Sequence, residues 1–440
     1  MNFQKRLRGV RLAHRKSTEH SSACMMPPPS LVTIPMSMHI GAPAKPIVKP
    51  GDVVTVGQMI AEAGGFVSAA VFSSVSGKVK KLDSMTDSAG RTLQTVVIES
   101  DGLMTPTEGL SPREVNTPSE LSDAARDAGL VGLGGAGFPT HVKFNVDPSR
   151  VEVLIVNGAE CEPYITSDSV TMTERIDDIE YGLLAIQKHF GIKNIIVGIE
   201  RNKKRAISSM KTLEETVEGL RVKVLPSVYP QGGEKVLVYH TTKKVIPTGK
   251  LPIDVGCIVC NCTTIAAIGS YLKTGMPLVK KCVTVDGGAV KEAQNVIAPI
   301  GTSLADVFEF CGGFTTEPDK VLYGGPMMGI TVPDLNAPVL KNTNAILALT
   351  EKEAKIPETT ACIRCGSCTN ACPFGLAPAS IALAYKKKDT DLLEKLSVDT
   401  CMECGCCSFI CPANRPLVQT NKLAKALLKE TRAKEASKNG

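Results

Sequence analysis

The sequence predicts a multidomain α/β + β chain, closed by a small helical domain built around cysteines. Three observations carry that prediction. Between residues 151 and 225, apolar strand-like runs alternate with amphipathic helical segments, the signature of βαβ units on a parallel sheet. The flanking stretches, 31–99 and 278–329, are short apolar runs punctuated by glycine, which read as β-domains. Nine of the 16 cysteines fall between Cys362 and Cys411, in a spacing that repeats. A length of 440 residues with 43% hydrophobic content suits roughly three domains of ~100–200 residues, each with its own core.

Taken in order, residues 1–30 form a basic arm ending in STEHSSACMMPPPS, read as extended. Residues 31–105 contain PGDVVTVGQMIAEA and later SGKVKKL, which resemble the two halves of a lipoyl/biotinyl-carrier-like barrel-sandwich hybrid. A carrier needs a lysine on the intervening hairpin, and none lies between Gly51 and Gly77. The fold is expected there without the carrier chemistry. Residues 115–275 are the α/β domain. PSELSDAARDAG, entered from Thr117, is an N-capped helix, followed by the glycine-rich GLGGAGFPT and the strand VEVLIVN. TERIDDIEYGLLAIQKHFG places Ile176, Ile179, Leu183, Ile186 and Phe190 on one helical stripe. KNIIVGIE is a strand, NKKRAISSMKTLEETVEG a helix, RVKVLPS a strand, and 251–275 reads as a turn and a helix. Residues 276–332 resemble a soluble-ligand-binding β-grasp module. Residues 333–358 read as a linker with Pro and Asn, 359–415 as the cysteine domain, and 416–440 as a basic helix around Leu423, Leu427 and Leu428.

Net charge is +6, but residues 1–20 carry six Lys/Arg against one acid and residues 415–440 seven against two. The body between is therefore mildly acidic, which argues against nucleic acid as a partner of the core. With no Trp and 4% aromatics, base-stacking platforms are scarce as well. The basic ends are either solvated or dock on an acidic partner or an anionic membrane surface. No run reaches the ~18 apolar residues of a spanning helix. The best candidate, Cys257 to Leu272, is broken by Asn261, Thr263, Thr264, Gly269 and Ser270. The basic start has no apolar core behind it, so a cytoplasmic chain without a secretory signal is expected.

Cys362-x-x-Cys365-x-x-Cys368-x-x-x-Cys372-Pro recurs as Cys401-x-x-Cys404-x-x-Cys407-x-x-x-Cys411-Pro. This is the bacterial two-cluster ferredoxin run, in which the fourth cysteine of each repeat serves the other cluster. The spacing assigns Cys362, Cys365, Cys368 and Cys411 to one [4Fe–4S] cluster, and Cys401, Cys404, Cys407 and Cys372 to the second. Cys406 is surplus. Zinc, the rival metal, is held by pairs of Cys-x-x-Cys and explains neither the fourth cysteine nor the proline. The helical pattern ASIALAYKKKDTDLLEKL between the repeats favours an α-helical ferredoxin-like domain. Upstream, Cys257-x-x-Cys260-x-Cys262 finds a fourth thiol only in distant Cys282, so small buried residues are the cheaper reading.

Gly132-x-Gly134-x-x-Gly137 matches a dinucleotide fingerprint but follows a helix, where a Rossmann loop would follow a strand. Its company is more telling: GLGGAGFPTHVKF, VLIVNGAECEP, YPQGGEK and IVCNCTT, in that order. The set is similar to the flavin- and NADH-binding subunit of respiratory complex I. With both β-modules and the cysteine domain, the chain from about His39 to Arg415 resembles the C subunits of Rnf-type ion-translocating ferredoxin:NAD oxidoreductases.

That resemblance implies FMN, NAD(H) and two [4Fe–4S] clusters as cofactors. It implies that Gly132, Gly134, Gly135 and Gly137 approach the FMN, that Lys143 gives the flavin positive charge, and that Asn157 bonds its ring edge. Asn261 and Thr264 would take the phosphate side, and Phe138 and Phe144 would wall the nicotinamide stack. Glu160 would line the polar edge, Glu162 and Glu234 the nicotinamide nucleotide, with Tyr229 and Gly232 also in the cofactor site. Against complex I subunits, Ala159 replaces an acid, Cys161 a glycine, and YPQGGEK has one acid for two. No acid–base catalytic residue is required.

The implied function is the nicotinamide-facing subunit of a membrane-associated complex, peripheral on the cytoplasmic face of the bacterial cell membrane. Its partners would be the other subunits, including an iron–sulfur subunit that meets ferredoxin. A microcompartment-type flavin/iron–sulfur cobalamin reductase shares every motif, and a non-enzymatic scaffold or ligand-binding subunit would use the β-grasp module alone.

Overall fold

A four-stranded parallel sheet organises the chain, with strand order Leu220–Leu225, Ile195–Glu200, Val153–Asn157, Cys257–Asn261. The computed structural model describes residues 8–87, 90–332 and 334–438. Residues 1–7 of the basic arm, with Lys5 and Arg6, lie outside the described residues, as do 439–440 of the C-terminal segment.

Three of its strands, Ile195–Glu200, Val153–Asn157 and Cys257–Asn261, are buried on both faces, as their near-continuous apolar sequences require, and Leu220–Leu225 is a partly exposed edge. Leu154, Val156, Ile195, Val197, Ile258 and Cys260 face one core, packed on Ile179, Leu183, Ile186 and Phe190 of the helix Ile176–Phe190 and on Ile265 and Ile268 of the helix Cys262–Thr274. Val153, Ile155, Ile196, Cys257 and Val259 face the other, against Leu237 and Val238 of the helix Glu234–Thr242. The helical stripe read from sequence is the buried face. Thr117 caps the helix Pro118–Asp127, accepting from the Glu120 N–H at 3.1 Å.

Residues 251–275, read as a turn and a helix, also contain the fourth strand, Cys257–Asn261. Alternation explains the cysteines there: Cys257 enters one core, Cys260 and Cys262 the other, so the three cannot share an ion. Among the described residues no cysteine is joined to another as a disulfide.

Two small sheets make the sandwich at the N-terminal side. One has the order Leu31–Pro35, Thr92–Ser100, Gly77–Thr86, Val53–Val54, the other Lys45–Pro46, Met59–Glu62, Val71–Phe72. Val32, Ile34, Val54, Ile60, Val79, Val96 and Ile98 fill the space between them. The third unit is a six-stranded sheet, ordered Ala23–Met25, Gln294–Pro299, Lys280–Asp286, Ala345–Leu349, Lys320–Tyr323, Ile330–Val332.

This sheet corrects two expectations. The segment 333–358 is more than a linker: Ala345–Leu349 is buried throughout and sits mid-sheet, parallel to Lys280–Asp286 and antiparallel to Lys320–Tyr323. A five-residue apolar run flanked by Asn and Thr gives little local signal; its partners lie more than 20 residues away. The basic arm is likewise structural. Ala23–Met25 adds an edge strand to Gln294–Pro299, and Val10 pairs with Tyr229. Between them, Lys16 donates to the carbonyls of Glu160 (2.9 Å), Glu162 (2.8 Å) and Ile165, and Arg15 to the Tyr164 hydroxyl (2.7 Å).

The C-terminal unit comprises helices Ser367–Ala371, Pro378–Lys386, Thr390–Lys395, Cys406–Phe409 and Leu417–Lys438. The last helix is neither a free tail nor uniformly solvated. Lys425 pairs with Glu403 (2.6 Å), and Arg432 with Asp399 (2.7 Å) and Glu394 (2.5 Å). No helix among the described residues is long and apolar enough to cross a membrane.

Candidate functional site

The strand order reverses at Val153–Asn157: the chain moves outward to Ile195–Glu200 and Leu220–Leu225, then returns to pair Cys257–Asn261 on the opposite side. Ligands of open parallel sheets bind beyond the strand carboxyl ends at such a switch point. Asn157 and Asn261, the terminal residues of the two strands, are register partners there.

The glycine loop lies across this edge. It is closed by Gly132 N–H to the Phe138 carbonyl (2.8 Å) and Gly137 N–H to the Gly132 carbonyl (3.1 Å). Gly134, Gly135 and Ala136 at its tip are exposed. Gly135 has φ +118°, a conformation that needs glycine. A Cβ on Gly134 would sit 2.8 Å from the Asn261 amide nitrogen, so the loop's approach to the strand end also needs glycine. The Thr264 hydroxyl accepts from Leu133 N–H at 3.0 Å and pins the loop to the helix Cys262–Thr274.

Lys143, on the short helix Thr140–Phe144, donates to the Val259 carbonyl (2.9 Å) and faces Glu234 at 3.4 Å. Asn157 donates to the Gly232 carbonyl (2.9 Å) and accepts from Ala159 N–H (3.1 Å). One cradle therefore gathers Gly132, Gly134, Gly135, Gly137, Lys143, Asn157, Gly232, Glu234, Asn261 and Thr264. Its open glycine tip, backbone N–H groups and lysine suit a phosphate-bearing planar cofactor. Phe138 is half-buried beside the loop.

Several expected roles do not survive the geometry. Phe144 is fully buried and packs on Phe190, ring centroids 5.7 Å apart, so it belongs to the core and walls no nucleotide. Asn261 caps the helix Cys262–Thr274 through Thr263 N–H (2.9 Å) and donates to Asp168 (2.7 Å). Its amide lies beneath the loop, against Gly134. Asn157, half-buried, uses one N–H and one lone pair of its amide on Gly232 and Ala159 and keeps one of each. Glu160 is buried, paired with Lys203 at 3.2 Å, and accepts from Asp168 N–H (2.8 Å) and the Ser169 hydroxyl (2.9 Å). It lines no polar edge of a nucleotide site.

Glu162 is committed too. Its carboxylate accepts from Met327 N–H (3.0 Å) and Met328 N–H (2.8 Å), on the turn that follows Gly324–Gly325. Gly325 is required there, since a Cβ would collide with that carboxylate. Burial pushes Glu162 up to about 7, against the pull of the two N–H donors. Glu162→Ala should remove the acceptor of two N–H groups, part-buried at Met327 and exposed at Met328, at ~1–3 kcal/mol for the two bonds together. The expected result is roughly 5- to 150-fold faster hydrogen exchange in residues 326–329, with the NADH requirement for flavin reduction unchanged. A raised NADH requirement with unaltered exchange would return Glu162 to the nucleotide site.

Tyr229 turns away from the cradle. Its hydroxyl donates to the Cys404 carbonyl at 2.7 Å, and it shares an apolar cluster with Val10, Ala371, Cys404 and Cys406. Surplus Cys406 is buried there, its thiol 3.8 Å from the Tyr229 carbonyl. Behind that contact lies a cavity lined by Cys372, Cys401, Cys404, Cys406 and Cys407, with Phe374, Leu376, Val418 and Asn421. Four of these five, Cys372, Cys401, Cys404 and Cys407, are the repeat cysteines and fit an iron–sulfur cluster as a donor set. The buried Asn421 carbonyl oxygen has no partner, and its amide lies 3.5 Å from the Cys401 sulfur. Cys368 and Cys411 meet next to this cavity in a cluster with Cys407, Leu417 and Val418, while Cys362 and Cys365 are exposed.

Three participants carried no sequence signal. Lys203 stands in a Lys-Lys pair that reads as an ordinary helix start. Asn342, inside the presumed linker, donates to the Gly135 carbonyl at 2.8 Å, and Ile40 N–H of the sandwich domain donates to Gly137 at 3.0 Å. A surface-like polar pattern gave none of them away.

Comparison with known proteins bears on this arrangement. Family models match in series: the RnfC barrel sandwich hybrid domain at 4–103, the Nuo51 FMN-binding domain at 125–270, the SLBB domain at 282–331 and a 4Fe-4S dicluster domain at 354–417. The chain is 42% identical over 401 residues to the C subunit of the Na(+)-translocating ferredoxin:NAD(+) oxidoreductase complex of Acetobacterium woodii, covering 90% of each chain. It is 41% identical over 380 residues to the proton-translocating counterpart of Clostridium ljungdahlii, covering 85% of this chain and 82% of that one. Among solved structures, an air-oxidized NAD(+)-reducing [NiFe]-hydrogenase matches with TM-score 0.51 and 18% identity. That match covers 72% of this chain and 66% of the other, and speaks to the fold alone.

Proposed function

The chain belongs to the family of C subunits of ion-translocating ferredoxin:NAD(+) oxidoreductase complexes, and we propose that within such a complex it is the nicotinamide-facing subunit. It carries FMN-binding and 4Fe-4S dicluster domains, and passes electrons between NAD(H), FMN and two [4Fe–4S] clusters. These relatives lend no support to a cobalamin reductase or a scaffold.

One observation carries the reading. The segment Tyr229–Glu234 touches both halves of the machine: Glu234 faces Lys143 and Gly232 holds Asn157 at the cradle, while the Tyr229 hydroxyl reaches the Cys404 carbonyl. Bound FMN converts between a two-electron hydride donor and one-electron acceptors. The chain's part is to position. Gly132, Gly134, Gly135 and Gly137 bring backbone to the cofactor, Lys143 offers it a cation, and Glu234 and Phe138 face the nucleotide. Thr264 pins the glycine loop, Asn261 lies beneath it, and Asn157 ties Gly232 to Ala159. Cys372, Cys401, Cys404 and Cys407 hold the cluster nearer the cradle, and Cys362, Cys365, Cys368 and Cys411 the farther one.

The partners in this reading are the membrane-embedded subunits and an iron–sulfur subunit that meets ferredoxin. Exposed Lys422 and Lys429 on the last helix support a peripheral contact on the cytoplasmic face of the membrane. The test is an anaerobic NADH titration of the holoprotein, with extracted FMN measured in parallel. The parent should bleach. Lys143→Ala should lose a charged hydrogen bond of ~1.5–3 kcal/mol, a roughly 10- to 150-fold weaker hold on FMN. Parent protein whose flavin NADH cannot bleach would sink the proposal.

A further inference from the structure

The two cysteine loops are local copies of one another. In Cys362-Ile-Arg-Cys-Gly-Ser-Cys368 and Cys401-Met-Glu-Cys-Gly-Cys-Cys407 the third residue is left-handed, Arg364 at φ 56° and Glu403 at φ 61°. The glycine after the second cysteine is left-handed in both, Gly366 at φ 75° and Gly405 at φ 81°. Each loop feeds a short helix, and each following Cys-Pro is closed by another left-handed residue, Gly375 or Asn414. The domain therefore presents two equivalent faces.

One face is covered by the chain itself. Met402, Cys404, Cys406 and Ala371 pack with Tyr229 and Val10, and Gly233 has no room for a Cβ beside the Met402 methyl. The repeat maps these four onto Ile363, Cys365, Ser367 and Ile410. Where Met402 is packed, Ile363 is 69% exposed; Ile410 is 40% and adjoining Phe409 53% exposed. Cys362, Arg364 and Cys365 are exposed between them.

We propose that this second face is the docking surface for an iron–sulfur subunit of the same complex, and that electrons leave the chain through the Cys362–Cys368 loop. The inference rests on the function proposed above. By equivalence with the covered face, where Met402 and Ala371 share one cluster, Ile363, Arg364, Phe409 and Ile410 fall on one face, with the composition of an interface centre rather than of open surface. The covered face sets the precedent: there the same loop positions seat the neighbouring redox domain, with cysteine backbone in direct contact. An occupant of the open face must likewise carry its redox group at its surface, beside an apolar patch with a carboxylate for Arg364. The transfer is balanced by one electron leaving the chain's reduced cluster and one entering the partner's oxidised cluster, with no bond or proton moved.

The experiment uses the assembled complex with Ile363→Asp or Phe409→Asp in the full chain. Iron content, both cluster EPR signals after chemical reduction, and NADH bleaching of the flavin should match the parent. Co-purification of the iron–sulfur subunit should fall about tenfold or more, the scale of losing an interface hot spot, and NADH should no longer reduce its cluster. Parent-like co-purification and reduction in both variants would overturn the proposal. Because Ile363 lies between ligands, a photo-crosslinking residue in place of Phe409 gives a second measurement. A crosslink to the iron–sulfur subunit is expected; one to a subunit without a redox group, or to lipid alone, overturns it. If parent flavin fails to bleach, the proposed function falls; if it bleaches and docking is unchanged, only this surface does.

Discussion

Cys372→Ser is expected to empty the cluster of Cys401, Cys404 and Cys407 and to spare that of Cys362, Cys365 and Cys368, although Cys372 belongs to the first repeat. The thiol lines the same cavity as the three later cysteines, walled by Phe374, Leu376 and Val418. Its own repeat neighbour Cys368 does not line that cavity; it lies beside it, in a cluster with Cys407, Cys411, Leu417 and Val418. Losing one of four thiolate ligands removes a cubane outright in the simplest case, so iron should drop from about eight to about four per chain. The consequence for electron flow should be larger than the iron count suggests. The cavity sits directly behind the Tyr229–Cys404 contact, so the variant should still bleach its flavin with NADH yet pass almost nothing onward. Cys411→Ser is the converse, sparing the cluster behind Tyr229. Iron analysis and EPR of both variants decide the matter. Loss of the Cys362-centred signal in Cys372→Ser would mean that each repeat binds its own cluster.

The cysteine spacing was legible because it is chemistry written in consecutive residues; the same holds for the glycine loop, whose conformation only glycine tolerates at Gly135. The helical stripe from Ile179 to Phe190 was legible because its period is local. What was hidden depends on partners far away in sequence. Ala345–Leu349 is a central strand only because Lys280–Asp286 and Lys320–Tyr323 flank it. Cys257–Asn261 vanished into a longer apolar run that a helix could equally explain. Glu160 and Glu162 sit in the motifs that drew attention to them, yet their carboxylates are taken up by Lys203 and by the Met327 and Met328 N–H groups. Motif membership reports proximity to a site, and burial decides the task. The arm was misread for a related reason: a lysine such as Lys16 looks solvated until the loop carbonyls that enclose it are assembled.

Glu160→Ala should be the most destabilising single change in the α/β domain's loop system, at about 3–5 kcal/mol, because it strips a buried cation of its partner. Lys203 and Glu160 are both sealed from solvent at 3.2 Å, unlike exposed pairs worth ~0–1 kcal/mol. Glu200 also stands near Lys203; burial and the neighbouring Glu160 charge push it up to about 7, so losing Glu160 favours its ionised form and lets it offset part of the loss. Glu160 also accepts the Asp168 N–H and the Ser169 hydroxyl at the start of the helix Ser167–Glu174, so its loss frees that helix end as well. Lys16, bonded to the Glu160, Glu162 and Ile165 carbonyls, then holds a loop with nothing beneath it. Glu160→Gln keeps acceptor geometry but not charge and should fall between. Pairing it with Lys203→Met should recover part of the loss, with a coupling of roughly 0.5–3 kcal/mol in the double-mutant cycle. Urea denaturation followed by circular dichroism, with FMN release monitored in parallel to separate domain transitions, measures these values. In protein that remains folded, the NADH concentration needed to bleach the flavin should equal the parent's. A Glu160→Ala variant of parent stability that demands more NADH would place this carboxylate at the nucleotide and the buried ion pair among the incidental contacts.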